Sequence, residues 1–176
     1  FGAQRELEQL MDDLNVDRTI RPAPFAEVRA SELLQQAIGR NEHRFSRKAQ
    51  TIDVQRTEAN VWTDAHWCVA ILDALLSNAS KFSPHGSRIT ITTASSNGKL
   101  AFKVSDAGVG LSKEDLDRLF VRYSLLSSRS TAGEQQLRGT LGRCRQWARA
   151  LNGELEAESA GQGKGTCFTL LLPQAP

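Results

Sequence analysis

The stretch VSDAGVGL, residues 104–111, decides how the rest of the chain is read. An apolar alternating run leads into it, an aspartate stands at its turn, and two glycines follow, two residues apart. Glycines at the end of a strand permit left-handed backbone and close backbone approach. A carboxylate there accepts a hydrogen bond from an exocyclic amine such as that of adenine. Asp106 then reads a base, while Gly108 and Gly110 make room for a ring and phosphates. A DxGxG run is also an ordinary tight strand-to-helix turn, and taken alone it favours that reading.

Upstream, DAHWCVAILDALLSNASKF is nearly continuous in apolar residues, which predicts a long, largely buried helix capped by Thr63 or Asp64 and ended by Pro84 and Gly86. Asn78 is polar in that apolar neighbourhood, and Lys81 lies three residues further along the same helix. An amide oxygen is a hard ligand suited to Mg²⁺, which takes few protein groups alongside phosphates and water. A lysine one turn away neutralises phosphate charge. The alternative is an Asn78 bonded to neighbouring backbone and a Lys81 that snorkels to solvent.

Between these two stretches, SRITITTAS and KLAFKVSD alternate about SNG and predict a hairpin. Ser112 starts a further helix through EDLDRLF, with Asp115 three residues on in an imperfect capping box. The Ser-rich run that follows reads as a mobile loop. A helix from about 141 to 151 stops at Asn152–Gly153, and GELEAES and GTCFTLLLP read as closing strands. Nearer the start, Ser31 caps a helix bearing Leu33, Leu34, Ala37 and Ile38, and QTIDVQR and ANVWT are short strands. Residues 1–16 carry a narrow helical stripe of Leu7, Leu10, Met11 and Leu14. Residues 17–24 form a proline-bearing linker. Alternating helices and strands of this kind predict an α+β two-layer sandwich, one mixed sheet with helices on one face.

The chain has 176 residues and a formal net charge of +2, a balance that argues against nucleic acid as the main partner. Its 3 cysteines include no CxxC pair and read as reduced thiols of a cytoplasmic protein. No apolar run reaches the roughly 20 residues that span a bilayer. The chain begins at Phe1 rather than Met and is expected to be a piece of a longer protein, which could carry membrane segments elsewhere.

Taken together, LLSNASKFSPHGSRI, a hairpin, and VSDAGVGLSKEDLDRLFVRYS resemble the ATP-binding domain of sensor histidine kinases. That family belongs with DNA gyrase, mismatch-repair ATPases and anti-sigma-factor kinases, and its fold is the Bergerat sandwich. LSNASKFSP resembles the N box, DAGVG the G1 box and LDRLFVRY the F box. LNGELEAESAGQGKGTCFTLLLP resembles the family's ending, and the likeness covers residues 25–173. The resemblance implies that Asn78 holds Mg²⁺, Lys81 contacts phosphates and Asp106 bonds the adenine amine of ATP. Gly108 and Gly110 would shape the pocket, and Phe120 would anchor a lid over residues 124–138. Residues 1–16 would end the dimerisation and phosphoacceptor hairpin that precedes the catalytic domain, residues 25–176.

Two departures matter. The family carries a second polar residue one turn before the asparagine, where this chain has Ala74; Asp73, next to it, points about 100° away. The G2 box, a GxGxG-like run under the phosphates, falls at QLRGT, residues 136–140, where Gly139 and Thr140 remain but only one glycine stands. No histidine sits in an H-box-like stretch, so the phosphoacceptor lies outside this sequence. The leading expectation is a histidine kinase catalytic domain acting on a helical hairpin of the same or a partner kinase. A response regulator would lie downstream, and the full-length protein would be a homodimer. The rival is a signalling module impaired in nucleotide binding that works through protein contacts. An anti-sigma-type serine kinase fits the opening helix less well.

Overall fold

The computed structural model describes residues 22–118 and 139–176. The opening helix, residues 17–21 of the linker, Phe120 and the lid expected over 124–138 lie outside the described residues.

Seven strands and four helices are described: β1 (Ala26–Arg29), α1 (Ala30–Arg47), β2 (Thr51–Val54), β3 (Asn60–Thr63), α2 (Ala65–Phe82), β4 (Arg88–Ser96), β5 (Lys99–Asp106), α3 (Lys113–Arg118), α4 (Gly139–Ala150), β6 (Glu154–Glu158) and β7 (Thr166–Pro173). Five strands form one mixed sheet in the order β2-β4-β5-β7-β6. Only β2 and β4 run parallel in it; the other pairs are antiparallel. The expected two-layer α+β architecture is what forms.

The register puts one apolar row on the helix-covered face. Val104 pairs with Ile91 and Phe168, Phe102 with Leu170, and Leu100 with Leu172, and all of these are buried. Thr92, Lys103 and Thr169 share the opposite face. That alternation follows from the period of two along a strand. The β4–β5 hairpin closes on Asn97 and Gly98, both left-handed at φ 52 and φ 75, which is the turn the NG pair predicts.

Helix α2 is the centre of the core. Cys68, Val69, Ile71, Leu72, Leu75, Leu76 and Ala79 on it are buried, and it packs against α1, α4 and β5. The Asp64 side chain caps it by accepting from the His66 N–H at 3.0 Å. The Trp67 and Trp147 rings, 5.1 Å apart, join α2 to α4. Burial raises the Cys68 thiol above its ordinary range and, with the Asp73 charge, pushes Cys144 up to about 12, so both stay protonated at neutral pH. The C-terminal end of α4 is a Schellman arrangement: Gly153 N–H donates to Ala148 O and Asn152 N–H to Arg149 O, with Asn152 at φ 61.

The structure departs from expectation in two places. Helix α1 starts at Ala30, and Arg29 rather than Ser31 holds the N-cap position, with no side-chain cap. Residues 26–29, to which the sequence reading assigned no element, form β1. That strand pairs antiparallel with β3 as a separate two-stranded ribbon, so ANVWT does not join the main sheet. Among the described residues helix α4 runs from Gly139 to Ala150, which contains the expected span.

Candidate nucleotide-binding site

Strand β5 ends at Asp106, and residues 107–112 return the chain towards α3. The ends of β5 and α2 face each other across a cleft lined by Asn78, Phe82, Asp106, Val109, Gly110, Leu111, Leu141, Thr166 and Phe168. The amide on the buried helix and the carboxylate on the glycine corner therefore share one cavity. Its volume is about 20 Å³, room for about one water molecule. A purine enters only if the walls part.

Asn78 is 4% exposed, and its Nδ2 is buried without a hydrogen-bond partner among the described residues. Native interiors seldom leave such a donor unpaired. It is not bonded to neighbouring backbone, contrary to the Asn78 half of the alternative raised by the sequence. Lys81 follows one turn later, half-buried, and is not among the residues lining the cleft.

Asp106 accepts the backbone N–H groups of Gly108 at 2.9 Å and Thr166 at 3.2 Å, both on Oδ1. That leaves Oδ2 as the oxygen available to a ligand among the described residues. Burial pushes its carboxyl up from the ordinary 3.8 to about 6, and the two N–H bonds pull partly against that shift.

The two glycines have different reasons. At Gly108 a Cβ would lie 2.2 Å from the Phe82 carbonyl oxygen, and Val109 N–H donates to that same oxygen at 3.0 Å. Gly108 is required by the seating of its loop on the end of α2, and it does not itself line the cleft. Gly110 does line it, at φ +69, and a Cβ there would meet the Gly161 carbonyl at 2.1 Å. The β6–β7 turn completes the seating. Gly163 N–H donates to Val109 O at 2.6 Å, and Leu111 N–H donates to the Ser159 hydroxyl at 3.0 Å.

Gly139 and Thr140 open α4, whose next residue, Leu141, is buried in the cleft wall. Ala74 packs against the core one turn before Asn78. The Asp73 carboxylate is held by α1, accepting from Asn41 Nδ2 at 2.7 Å and lying 3.9 Å from Arg40. It does not substitute for the missing polar group at Ala74. His43, His66 and His85 are all exposed. Among the described residues, no three His, Cys, Asp or Glu side chains converge as a metal cage, and no helix is long and apolar enough to cross a membrane.

Leu141, Thr166, Phe168 and Ser159 were not singled out by the sequence reading. Leu141 carried a usable signal, since it keeps the apolar spacing of Cys144, Ala148 and Leu151. Ser159 carried none, because the partner that matters, Leu111 N–H, lies on the loop after β5, 48 residues away in sequence.

Comparison with known proteins gives a consistent result. Residues 63–176 match the family model described as histidine kinase-, DNA gyrase B-, and HSP90-like ATPase. The histidine protein kinase DivJ of Caulobacter vibrioides is 38% identical over 119 residues, covering 66% of this chain. The chain spans only 19% of the length of that kinase. Among solved structures, the Acinetobacter baumannii histidine kinase AdeS superposes with a TM-score of 0.75 at 19% identity, covering 97% of this chain and 77% of that one. Full-length ShkA in complex with AMPPNP superposes with a TM-score of 0.76 at 22% identity, covering 97% of this chain and 36% of that one. At those identities the superpositions speak to the fold.

Proposed function

This chain belongs to the family of histidine kinase-, DNA gyrase B- and HSP90-like ATPases, and on that premise we propose that it is the ATP-binding catalytic domain of a two-component sensor histidine kinase. It delivers the γ-phosphoryl group of ATP to a histidine on an adjoining helical hairpin, of its own or a partner chain. A response regulator receives the group from there. The observation that carries this reading is the unpartnered Asn78 amide facing the Asp106 carboxylate across one cleft.

In this reading Asp106 Oδ2 accepts the adenine amine, and Leu141, Val109, Leu111 and Phe168 sandwich the ring. Gly110 lets the backbone pass close by. Lys81, Gly139 and Thr140 serve the phosphate end. The Asn78 amide suits a Mg²⁺ ion shared with phosphate oxygens and water, since hard oxygen donors are what that ion selects. Among the described residues no carboxylate cage would hold the ion; bound together with the nucleotide it would supply charge neutralisation during transfer.

Calorimetric titration of Mg–ATP and ADP into the chain tests the proposal. Saturable binding that is lost in Asp106→Asn is the expected outcome; no binding at millimolar nucleotide overturns it. A second reading, a kinase-like module that signals through protein contacts, is favoured by Ala74 and by the narrow cleft. It predicts the second outcome.

A further inference from the structure

Helix α2 delivers Asn78 to the cleft, and its last carbonyls have no partners within the helix. A corner 30 residues away in sequence supplies them. The turn between α1 and β2, Lys48-Ala49-Gln50, passes under the end of α2 with Ala49 in the left-handed region at φ 49. Lys48 is 8% exposed and Gln50 is 9% exposed. The Lys48 ammonium donates to Ser80 O at 2.7 Å and to Lys81 O at 3.3 Å. Gln50 Nε2 donates to Ser80 O and Ser83 O, each at 3.1 Å, and reaches Pro84 O at 3.4 Å. The Ser80 hydroxyl donates to Gln50 Oε1 at 2.7 Å, which fixes the orientation of the amide.

The distribution of these bonds is the informative point. Lys48 and Gln50 take the carbonyls of residues 80, 81, 83 and 84. The carbonyl between them, Phe82 O, is left to Val109 N–H, and it is the atom against which Gly108 is seated. The two buried side chains thus hold a short carbonyl rack with one oxygen turned to the glycine loop. That oxygen sets the spacing between α2, with Asn78, and the β5 corner, with Asp106. A buried ammonium on a helix C-terminus also meets the negative end of the helix dipole, so the rack is held by charge as well as by geometry.

We propose that Lys48 and Gln50 are positioning residues of the nucleotide site, which lock the end of α2 so that Phe82 O receives the glycine loop and fixes the width of the cleft. This rests on the nucleotide-binding reading above. Neither side chain lines the cleft or touches a bound base. They act through the backbone at Phe82 and Val109.

The test uses the 176-residue chain as wild type, Lys48→Met and Ser80→Ala. The first removes the ammonium and keeps the stem; the second is a mild change that only frees the Gln50 amide. Two quantities are measured: affinity for Mg–ATP and ADP by calorimetry, and hydrogen exchange of individual backbone amides. Loss of a charge-assisted bond at the rack predicts about tenfold weaker binding of both nucleotides in Lys48→Met. Ser80→Ala should weaken both about threefold, as expected for a neutral hydrogen bond. In both variants the Val109 amide should exchange faster while the Phe102 and Leu170 amides keep their protection. Unchanged affinity in either folded variant overturns the inference, as does acceleration of all amides together, which marks plain destabilisation. If Lys48→Met does not fold, Ser80→Ala alone decides. A wild-type chain that binds no nucleotide sinks the ATPase reading itself, a result distinct from failure of the variants.

Discussion

Replacing Asp106 by Asn should stabilise the free domain while abolishing nucleotide binding. The substitution is nearly isosteric, and an amide oxygen can still accept the Gly108 and Thr166 N–H groups that now bond Oδ1. What it removes is a buried negative charge. Burial raises the Asp106 carboxyl from 3.8 to about 6, the reverse of the shift for a carboxylate stabilised by its fold. The sign follows from proton linkage: between those two values the native state holds a proton that the unfolded chain has released. The contribution is therefore most favourable below the unfolded value and is lost as pH rises towards about 6. The native group therefore costs the fold about 1 kcal/mol at about pH 4.5, where it keeps a proton that the unfolded chain has released, and about 3 kcal/mol at about pH 7.5, where it is a buried charge. Urea unfolding of wild type and variant at both pH values measures the difference directly. The variant should be more stable by those amounts, with the larger gain at neutral pH. An equal gain at both values, or a less stable variant at neutral pH, refutes the reasoning. Binding moves the other way. The Asn Nδ2 would present a donor to the adenine amine, itself a donor, so calorimetry with ADP should show no saturable heat.

Three further outcomes follow from the same geometry. Gly108→Ala must displace the glycine loop from the Phe82 carbonyl, with a Cβ at 2.2 Å; overpacking plus loss of the Val109 hydrogen bond should cost about 2–4 kcal/mol by urea unfolding. Asn78→Leu removes a buried donor without a partner, so thermal unfolding should show equal or greater stability while Mg–ATP binding disappears. A loss above about 2 kcal/mol there would reveal a structural partner for the amide. Leu75→Ala empties a fully buried position at the middle of α2 and should destabilise by about 2–5 kcal/mol, measured by the shift in urea midpoint.

What was legible in the sequence was whatever one element could express by itself. The apolar run of α2, its Asp64 cap and the NG hairpin each carry their signal within a few residues, and each formed as read. β1 was not legible because it is 4 residues long with only Val28 half-buried; its strand character comes from pairing with β3, not from a pattern of its own. The start of α1 was misplaced for a related reason, since Ser31 looks like a cap but lies one residue inside the helix. Asn78, Asp106 and the two glycines stood out as residues that break a local rule. Why they break it was hidden. Gly108 answers to Phe82 O and Gly110 to Gly161 O, partners that only the folded chain brings near. Lys48 and Gln50 were invisible because a lysine and a glutamine after a helix look like solvent residues. Both are buried and bond to carbonyls at and just past the end of α2.

In the proposed reading, the two departures from the family pattern both fall at the phosphate end of the site. At the base end, each site residue is also a structural bond. Asp106 ties β5 to β7 through Thr166, Gly108 seats the loop on α2, and Ser159 pins Leu111 to the β6–β7 turn. A change that breaks one of these bonds costs both ligand binding and folding, whereas Asp106→Asn, which keeps them, costs binding alone. At the proposed phosphate end, Ala74 packs against the core where the family carries a polar group, and Leu141 of α4 is buried. Neither of these two positions carries a hydrogen bond of the kind that Asp106 and Ser159 make at the base corner.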